Sequence, residues 1–307
     1  MLKWIKKGLI FEPTSNKNWM HTHASLPFAD KIEGDVYRIY FSTRDVKNRA
    51  SLAFIKVDIR NPKKILYLVK KPVLSPGPNG MFDDSGVMGS CLVNYKNKKF
   101  LYYTGWSVGT TVPFHWSIGL AISDNGGKTF VKCSDAPIFD RSDTDPLFVA
   151  SPTVILENGI WKMWYISSTK WKRHGEKMTA PYQIKYAESK NGIAWKRNNI
   201  VCIGLCDKEV GVGRASVIKE KGIYNMWYSY ATNRYKIGYA NSKDGIHWNR
   251  KDRLVGIEIS KSGWDSQSIE YSFVFDHKGT RYMLYNGNNY GKTGFGYAIL
   301  EKNVDAK

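Results

Sequence analysis

Five short segments of this 307-residue chain place charged or hydroxyl side chains just ahead of an aromatic run: His21-Thr22-His23-Ala24-Ser25-Leu26-Pro27, Asp83-Asp84-Ser85-Gly86-Val87-Met88, Ala150-Ser151-Pro152-Thr153-Val154, Val212-Gly213-Arg214-Ala215-Ser216-Val217 and Ser268-Ile269-Glu270-Tyr271-Ser272-Phe273. Aligned on the apolar and aromatic residues that follow, they bring His23, Asp84, Ser151, Arg214 and Glu270 to near-equivalent positions. A buried charge without a partner costs several kcal/mol, so residues of this kind at the start of an apolar strand imply either mutual pairing or use. The pairing alternative is Arg214 with Asp84 or Glu270. The chemical alternative is a pair of carboxyls in which one protonates a leaving oxygen and the other serves as base or nucleophile, the apparatus of glycosyl transfer. Asp84 and Glu270 form the first candidate pair. Asp83, Glu209 and Asp265 are held in reserve as pocket residues, joined by His23, Ser151 and Arg214. Trp106, Trp264 and Tyr271 are candidates for stacking on sugar rings, although plugging a core explains any one of them equally well. Arg44 and Asp45, with Asn286 and Asn288, follow the aromatic runs and suit hydroxyls or an anionic group, a turn role being the alternative for the two amides.

A repeat must position these residues. An aromatic strand, a strand rich in Gly, Tyr and Ala, and then Ser-x-(Asn/Asp)-Gly with a following aromatic recur at Phe100–Tyr103 with Ser123–Gly126, at Trp161–Tyr165 with Ser189–Gly192, and at Tyr224–Tyr228 with Ser242–Gly245. Looser copies run from Tyr37 and from Arg281. The anchors Tyr40, Tyr103, Tyr165, Tyr228 and Tyr285 are separated by 63, 62, 63 and 57 residues. A near-constant period means units that cannot bury their faces alone. Alternating short strands with Asn-Gly, Asp-Gly and Gly-Gly turns, and no helical periodicity, make them antiparallel sheets. The expectation is an all-β, five-bladed β-propeller occupying residues 1–307 as a single domain, with the innermost strand of each blade lining a channel. In the Ser-x-(Asn/Asp)-Gly element the glycine supplies the turn and the aromatic fills the gap between blades, a structural duty for Asp124, Asn191 and Asp244.

Composition narrows the partners. Lys and Arg number 46 against 27 Asp and Glu, a formal charge of +19, which draws anions to the surface. These cations are dispersed, and with no recognition motif nucleic acid is not the expected partner; a carbohydrate or sugar phosphate is. No run approaches the roughly 20 apolar residues of a membrane span, and Met1-Leu2-Lys3-Trp4-Ile5-Lys6-Lys7 lacks the pattern of a secretory signal, so a cytoplasmic location is expected. Cys91, Cys133, Cys202 and Cys206 read as structural thiols without a zinc-site spacing. No cofactor or metal is expected. Asp and Asn near the channel suit calcium, but no spaced ligand loop accompanies them.

The five repeats, and phrases such as Met226-Trp227-Tyr228-Ser229 with Ile237–Trp248, resemble the five-bladed propeller carbohydrate enzymes that include glycoside hydrolase families 32, 43, 68 and 130. The resemblance spans nearly the whole chain. It implies a catalytic Asp opening the first blade, a second in the third and a Glu acid later; here His23 and Ser151-Pro152 stand at the first two places, and Asp145-Pro146 lies about six residues early. Tyr40–Asp45, Phe82–Val87 and Tyr285–Asn288 are similar to propellers of bacterial surface-glycan and flagellin-modification clusters. The mannoside phosphorylases of family 130 imply by resemblance that such a fold can use phosphate in place of water, with His23, Arg44, Arg214 and His115 as anion ligands. Three activities therefore stay open: a glycoside hydrolase, a phosphorylase or glycosyltransferase on a phosphate-linked sugar, and a non-catalytic glycan-binding propeller.

Overall fold

A computed structural model describes residues 1–13 and 17–301. Strand accounts for 58% of the chain and helix for 2%. Thr22–Glu33, Val36–Arg44, Ala50–Asp58 and Ile65–Leu68 form an antiparallel meander. It meets a second meander, Gly86–Tyr95, Lys98–Val108, Phe114–Ser123 and Val131–Lys132, through the parallel pair Ala50 and Gly86. A third group comprises Phe148–Glu157, Ile160–Ser168, Gln183–Ser189 and Trp195–Ile203, and a fourth Gly211–Glu220, Ile223–Ala231, Tyr235–Ser242 and Asn249–Arg250. The last group, Glu270–His277, Thr280–Asn286 and Phe295–Leu300, takes its fourth strand from Trp4–Phe11 at the other end of the chain. A small hairpin, Lys172–His174 with Lys177–Thr179, leaves the third group.

Local sequence explains these hairpins. Asn158-Gly159, Lys221-Gly222 and Lys278-Gly279 join first to second strands with both residues at positive φ, the mirror-image turn whose twist matches the flanking strands. The first strands of successive groups touch one another in order, and Glu270–His277 returns to touch Thr22–Glu33, so the five first strands close into a cycle.

Hydrogen bonds stitch that cycle. Ser42, Thr104, Ser229 and Asn286, at matching places on second strands, accept backbone N–H bonds from Gly89, Ser151, Tyr271 and Leu26 on the next first strand, at 2.8 to 3.1 Å. Ile166 occupies the fifth such place and has no oxygen to offer. Each first strand carries a register shift here, and Leu26, Ser151, Arg214 and Tyr271 adopt a left-handed backbone. These bulges re-aim side chains. They also correct the sequence alignment. Leu26, Gly89, Ser151, Arg214 and Tyr271 are the matched residues, and Phe41 rather than Tyr40 matches Tyr165. His23 lies three residues before Leu26 on a shift of its own, Asp84 precedes its strand, and Glu270 precedes the bulge.

The Ser-x-(Asn/Asp)-Gly element is a latch between groups. Ser189 Oγ accepts the Gly192 N–H and Asn191 Oδ1 accepts those of Ile193 and Ala194, which fixes the turn. The turn carbonyl then accepts a bond from the preceding group: Gly127 from Tyr40 at 2.6 Å, Gly192 from Tyr102 at 2.8 Å, Gly245 from the Trp164 indole at 2.8 Å. Trp227, next in this series, instead meets the edge of Trp4 at 6.0 Å. Deleting Met1–Phe11 removes that packing, the ladder onto Phe295–Leu300 and the Lys6–Asp265 ion pair together. The expected result is a shortened chain with a markedly lower urea midpoint, and an unchanged midpoint would show that this strand does not close the ring.

Candidate functional site

Most of the buried acids are used by the scaffold. Asp83, Asp145 and Asp265 each accept the hydroxyl of a tyrosine on a second strand, Tyr103, Tyr165 and Tyr285, at 3.0 Å. Each also pairs with a cation: Lys132 at 2.6 Å, Lys185 at 2.9 Å with Arg197 at 3.1 Å, and Lys6 at 2.7 Å. Asp30 is held by Arg38 and Lys99. Glu209 is tied to Arg250 at 2.8 Å and to the Cys206 N–H. Asp83, Asp265 and Glu209 are thus committed to internal ion pairs, and Asp145, which resembles the family's Asp-Pro, is a buried structural acid.

Glu270 differs from all of them. It is the one buried carboxyl among the described residues with no cation within ion-pairing distance. The Tyr290 N–H donates to its Oε1 at 2.8 Å, and its Oε2 has no protein partner. Burial pushes the carboxyl up from 4.5 to about 8, only partly opposed by the Tyr290 N–H, so the group is a neutral acid at pH 7. Tyr182, Tyr235, Tyr271 and Tyr290 surround it and their phenols are raised in turn, by burial first and by the carboxyl among their neighbours. Tyr182 and Tyr235 join hydroxyl to hydroxyl, and the Tyr235 ring lies 5.8 Å from Tyr290 and 6.4 Å from Tyr271. Tyr290 sits with Asn289 in two successive left-handed residues, and its carbonyl accepts the Ser25 hydroxyl. An acid held neutral against a wall of phenols can donate a proton to a leaving oxygen and offer ring faces and hydroxyls to a sugar.

Arg214 is the cationic counterpart. It pairs with neither Asp84 nor Glu270; Nη1 donates at 2.7 Å to the carbonyl of Ser90, on the first strand two groups away, so the guanidinium crosses the middle of the ring. Nε and Nη2 are unpartnered, as are the hydroxyls of Ser90 and Ser272. Burial lowers the guanidinium to about 10, and it stays charged at neutral pH. Arg44 stands 5.5 Å over the Trp106 ring and donates to Asn48. His23 is lowered to about 4 by burial and then by Arg44 and Lys292, which makes it a neutral hydrogen-bonding group and not the cation an anion ligand would supply.

The remaining sequence candidates have local duties. Asp45 caps its own loop through the Lys47 and Arg49 amides. Asn286, fully buried, bonds Leu26, Ala24 and Gly294; Asn288 bonds Gln267, Ser268 and Gly263. Both are fastenings within and between sheets, the turn-like role. The Trp264 ring packs tilted against Tyr285 at 5.0 Å. Asp84 is half-buried and accepts bonds from the Gly80 N–H and the Ser85 hydroxyl. Sequence reasoning missed Tyr182, Tyr235 and Tyr290. Tyr182 and Tyr290 lie on connections between second and third strands and Tyr235 opens a third strand, where the repeat signal is weakest. No three His, Cys, Asp or Glu side chains cluster as a metal set among the described residues, and no described helix is long and apolar enough to cross a membrane.

The fold is that of the glycoside hydrolase-like propellers. It superposes on a solved structure described as a glycoside hydrolase with a TM-score of 0.76 at 21% identity, covering 100% of this protein and 95% of the other. A β-1,2-mannobiose phosphorylase from Listeria innocua gives 0.72 at 12% identity, covering 98% and 96%. No family model matches the sequence. The chain belongs to the family of the uncharacterized protein Rv1502 of Mycobacterium tuberculosis (strain ATCC 25618 / H37Rv), with 40% identity over 301 residues, 98% of this chain and 100% of the relative. The uncharacterized protein MT1551 of strain CDC 1551 / Oshkosh matches to the same extent.

Proposed function

We propose that this chain is a five-bladed β-propeller and a carbohydrate-active enzyme that cleaves or transfers a glycosyl group at the end of its channel where first strands begin. The blade count rests on the four-stranded groups whose first strands touch in a cycle. The activity rests on one observation: Glu270 alone among the buried acids of the described residues lacks a cation, and burial pushes its carboxyl up to about 8. An unpaired buried carboxyl is a burden to a scaffold that neutralises every other buried acid, and strongly shifted groups concentrate at working sites. In this reading Glu270 passes its proton to the bridging oxygen as the bond to the anomeric carbon breaks, and the resulting carboxylate later recovers a proton from the incoming acceptor or from solvent. Asp84, which is in no ion pair among the described residues and accepts bonds only from Gly80 and Ser85 there, is the partner carboxylate for hydrolysis in this reading.

Phosphorolysis or glycosyl transfer is the second reading, favoured by Arg44 and Arg214, neither of which has a carboxylate partner. A mass-spectrometric screen of nitrophenyl glycosides, sugar phosphates and nucleotide sugars, with and without phosphate, separates the two. Turnover in plain buffer supports hydrolysis, turnover only with phosphate or an added acceptor supports transfer, and binding without turnover in every condition contradicts the enzyme reading.

A further inference from the structure

The segment Lys63-Lys64-Ile65-Leu66-Tyr67-Leu68-Val69-Lys70-Lys71 sets five apolar residues between two pairs of lysines and is bounded by Pro62 and Pro72. Its middle, Ile65–Leu68, is the outermost strand of the first group, and its only strand partner among the described residues is Ala50–Asp58. Ile65, Leu66 and Tyr67 are 38%, 51% and 41% exposed, and all four lysines are exposed. The outer strands of the other groups, Val131–Lys132, Trp195–Ile203, Asn249–Arg250 and Trp4–Phe11, expose at most one large apolar residue each. The backbone of this edge is open as well. The Val69 N–H donates to the Phe54 carbonyl at 3.1 Å, so antiparallel alternation turns the N–H and C=O of Leu68 away from the sheet. Leu66 is the extra residue of a bulge, which re-aims its side chain. Free edge groups beside exposed apolar side chains are a template for adding a strand.

Charge decides which strand. An antiparallel copy of the same segment centred on Tyr67 sets Lys63 against Lys71 and Lys64 against Lys70, and a parallel in-register copy sets each lysine against itself. Like charges directly opposite one another destabilise a pairing, so the lysine frame works against a second copy of this chain and for an acidic partner. The prolines, which cannot donate to a ladder, confine the added strand to the stretch between them. We propose that residues 63–71 are a docking edge for an extended protein segment whose apolar residues are framed at both ends by aspartate or glutamate, added to the first group as a further strand. This edge is on the outside of the ring and owes nothing to the chemistry of the channel.

Fluorescence anisotropy with labelled synthetic peptides tests it. The probes are alternating valine and threonine framed at each end by two aspartates, the same core framed by lysines, and the aspartate-framed peptide with proline at its centre. The expected result is saturable binding of the aspartate-framed peptide alone, weakened about tenfold in Leu66→Ser by the lost apolar contact. The double variant Lys64→Glu with Lys70→Glu is expected to reverse the preference and take the lysine-framed peptide. All three substituted positions are exposed, so the variants keep the wild-type fold, which their urea midpoints check. Binding of the proline-containing peptide as tightly as its parent would show charge attraction without strand addition and overturn the proposal. So would binding of no peptide, or a preference that the double variant leaves unchanged. Sedimentation velocity supplies the last outcome: a wild-type dimer that Leu66→Ser dissolves would assign the edge to a second copy and overturn the acidic partner.

Discussion

Glu270→Gln is expected to abolish turnover while making the protein more stable at alkaline pH. Gln keeps the shape and can still accept the Tyr290 N–H bond, but it has no proton to donate. Losing a general acid costs about 100- to 10,000-fold in rate. In the wild type the same chemistry requires the protonated form, so activity is expected to fall as pH rises through about 8, with the raised carboxyl setting the alkaline limb. The stability effect has the opposite sign. Between 4.5 and about 8 the folded chain holds a proton that the unfolded chain has released, so the stability tied to this group is complete below pH 4.5 and is lost as pH rises to about 8. Every tenfold change in the acid's dissociation constant corresponds to about 1.4 kcal/mol, which makes the total at pH 9 a few kcal/mol. Paired urea melts at pH 5 and pH 9 check this: the variant should gain over wild type at the higher pH and little at the lower. Equal gains at both, or unaltered turnover, would contradict the assignment.

Asp145→Ala is expected to produce the largest loss of stability of any single change at a sequence-nominated acid. The carboxylate is fully buried and satisfies Lys185, itself 2% exposed, together with Arg197 and the Tyr165 hydroxyl. Alanine strands two cations and a phenol in the interior. Breaking a buried ion pair from one side costs about 3–5 kcal/mol, because the penalty is the uncompensated charge that remains. Asp84→Ala, where both acceptor bonds are local to one loop, is expected to cost about 1 kcal/mol. Equilibrium urea denaturation of the two variants decides the point. Similar midpoints would mean that Asp145 does not carry the structural charge assigned to it.

Much of the architecture was legible because it is repeated. The Ser-x-(Asn/Asp)-Gly element had a physical reason to recur, and the structure gives it one more: the turn carbonyl is an acceptor for the neighbouring sheet. The fourth strand of the last group was hidden because Trp4–Phe11 lies nearly 300 residues away from its partner strand and carries none of the motif. The site was legible in part. Arg214 and Glu270 stood out as charges in apolar strands and remain the two buried acidic or basic side chains without ionic partners among the described residues. Asp83 and Asp265 looked similar in sequence, and what separates them is the Tyr–Asp–Lys arrangement, which joins residues about 20 to 260 positions apart. The register error at His23 comes from an extra shift between Thr22 and Ser25, whereas Asp84 lies in the loop ahead of its strand. Bulges of one or two residues shift a strand against its neighbour, and nothing in a period of about 60 residues reveals them.

The central claim is that a neutral, unpaired carboxylic acid stands in the channel. Difference infrared spectroscopy of wild type minus Glu270→Gln, recorded from pH 5 to pH 10, measures it directly. The account predicts a protonated carboxyl C=O band at pH 7 that converts to carboxylate near pH 8. A band already absent at pH 7, with the carboxylate titrating near 4.5, would show Glu270 to be an ordinary solvated or ion-paired acid and would remove the proton donor on which the proposed chemistry depends.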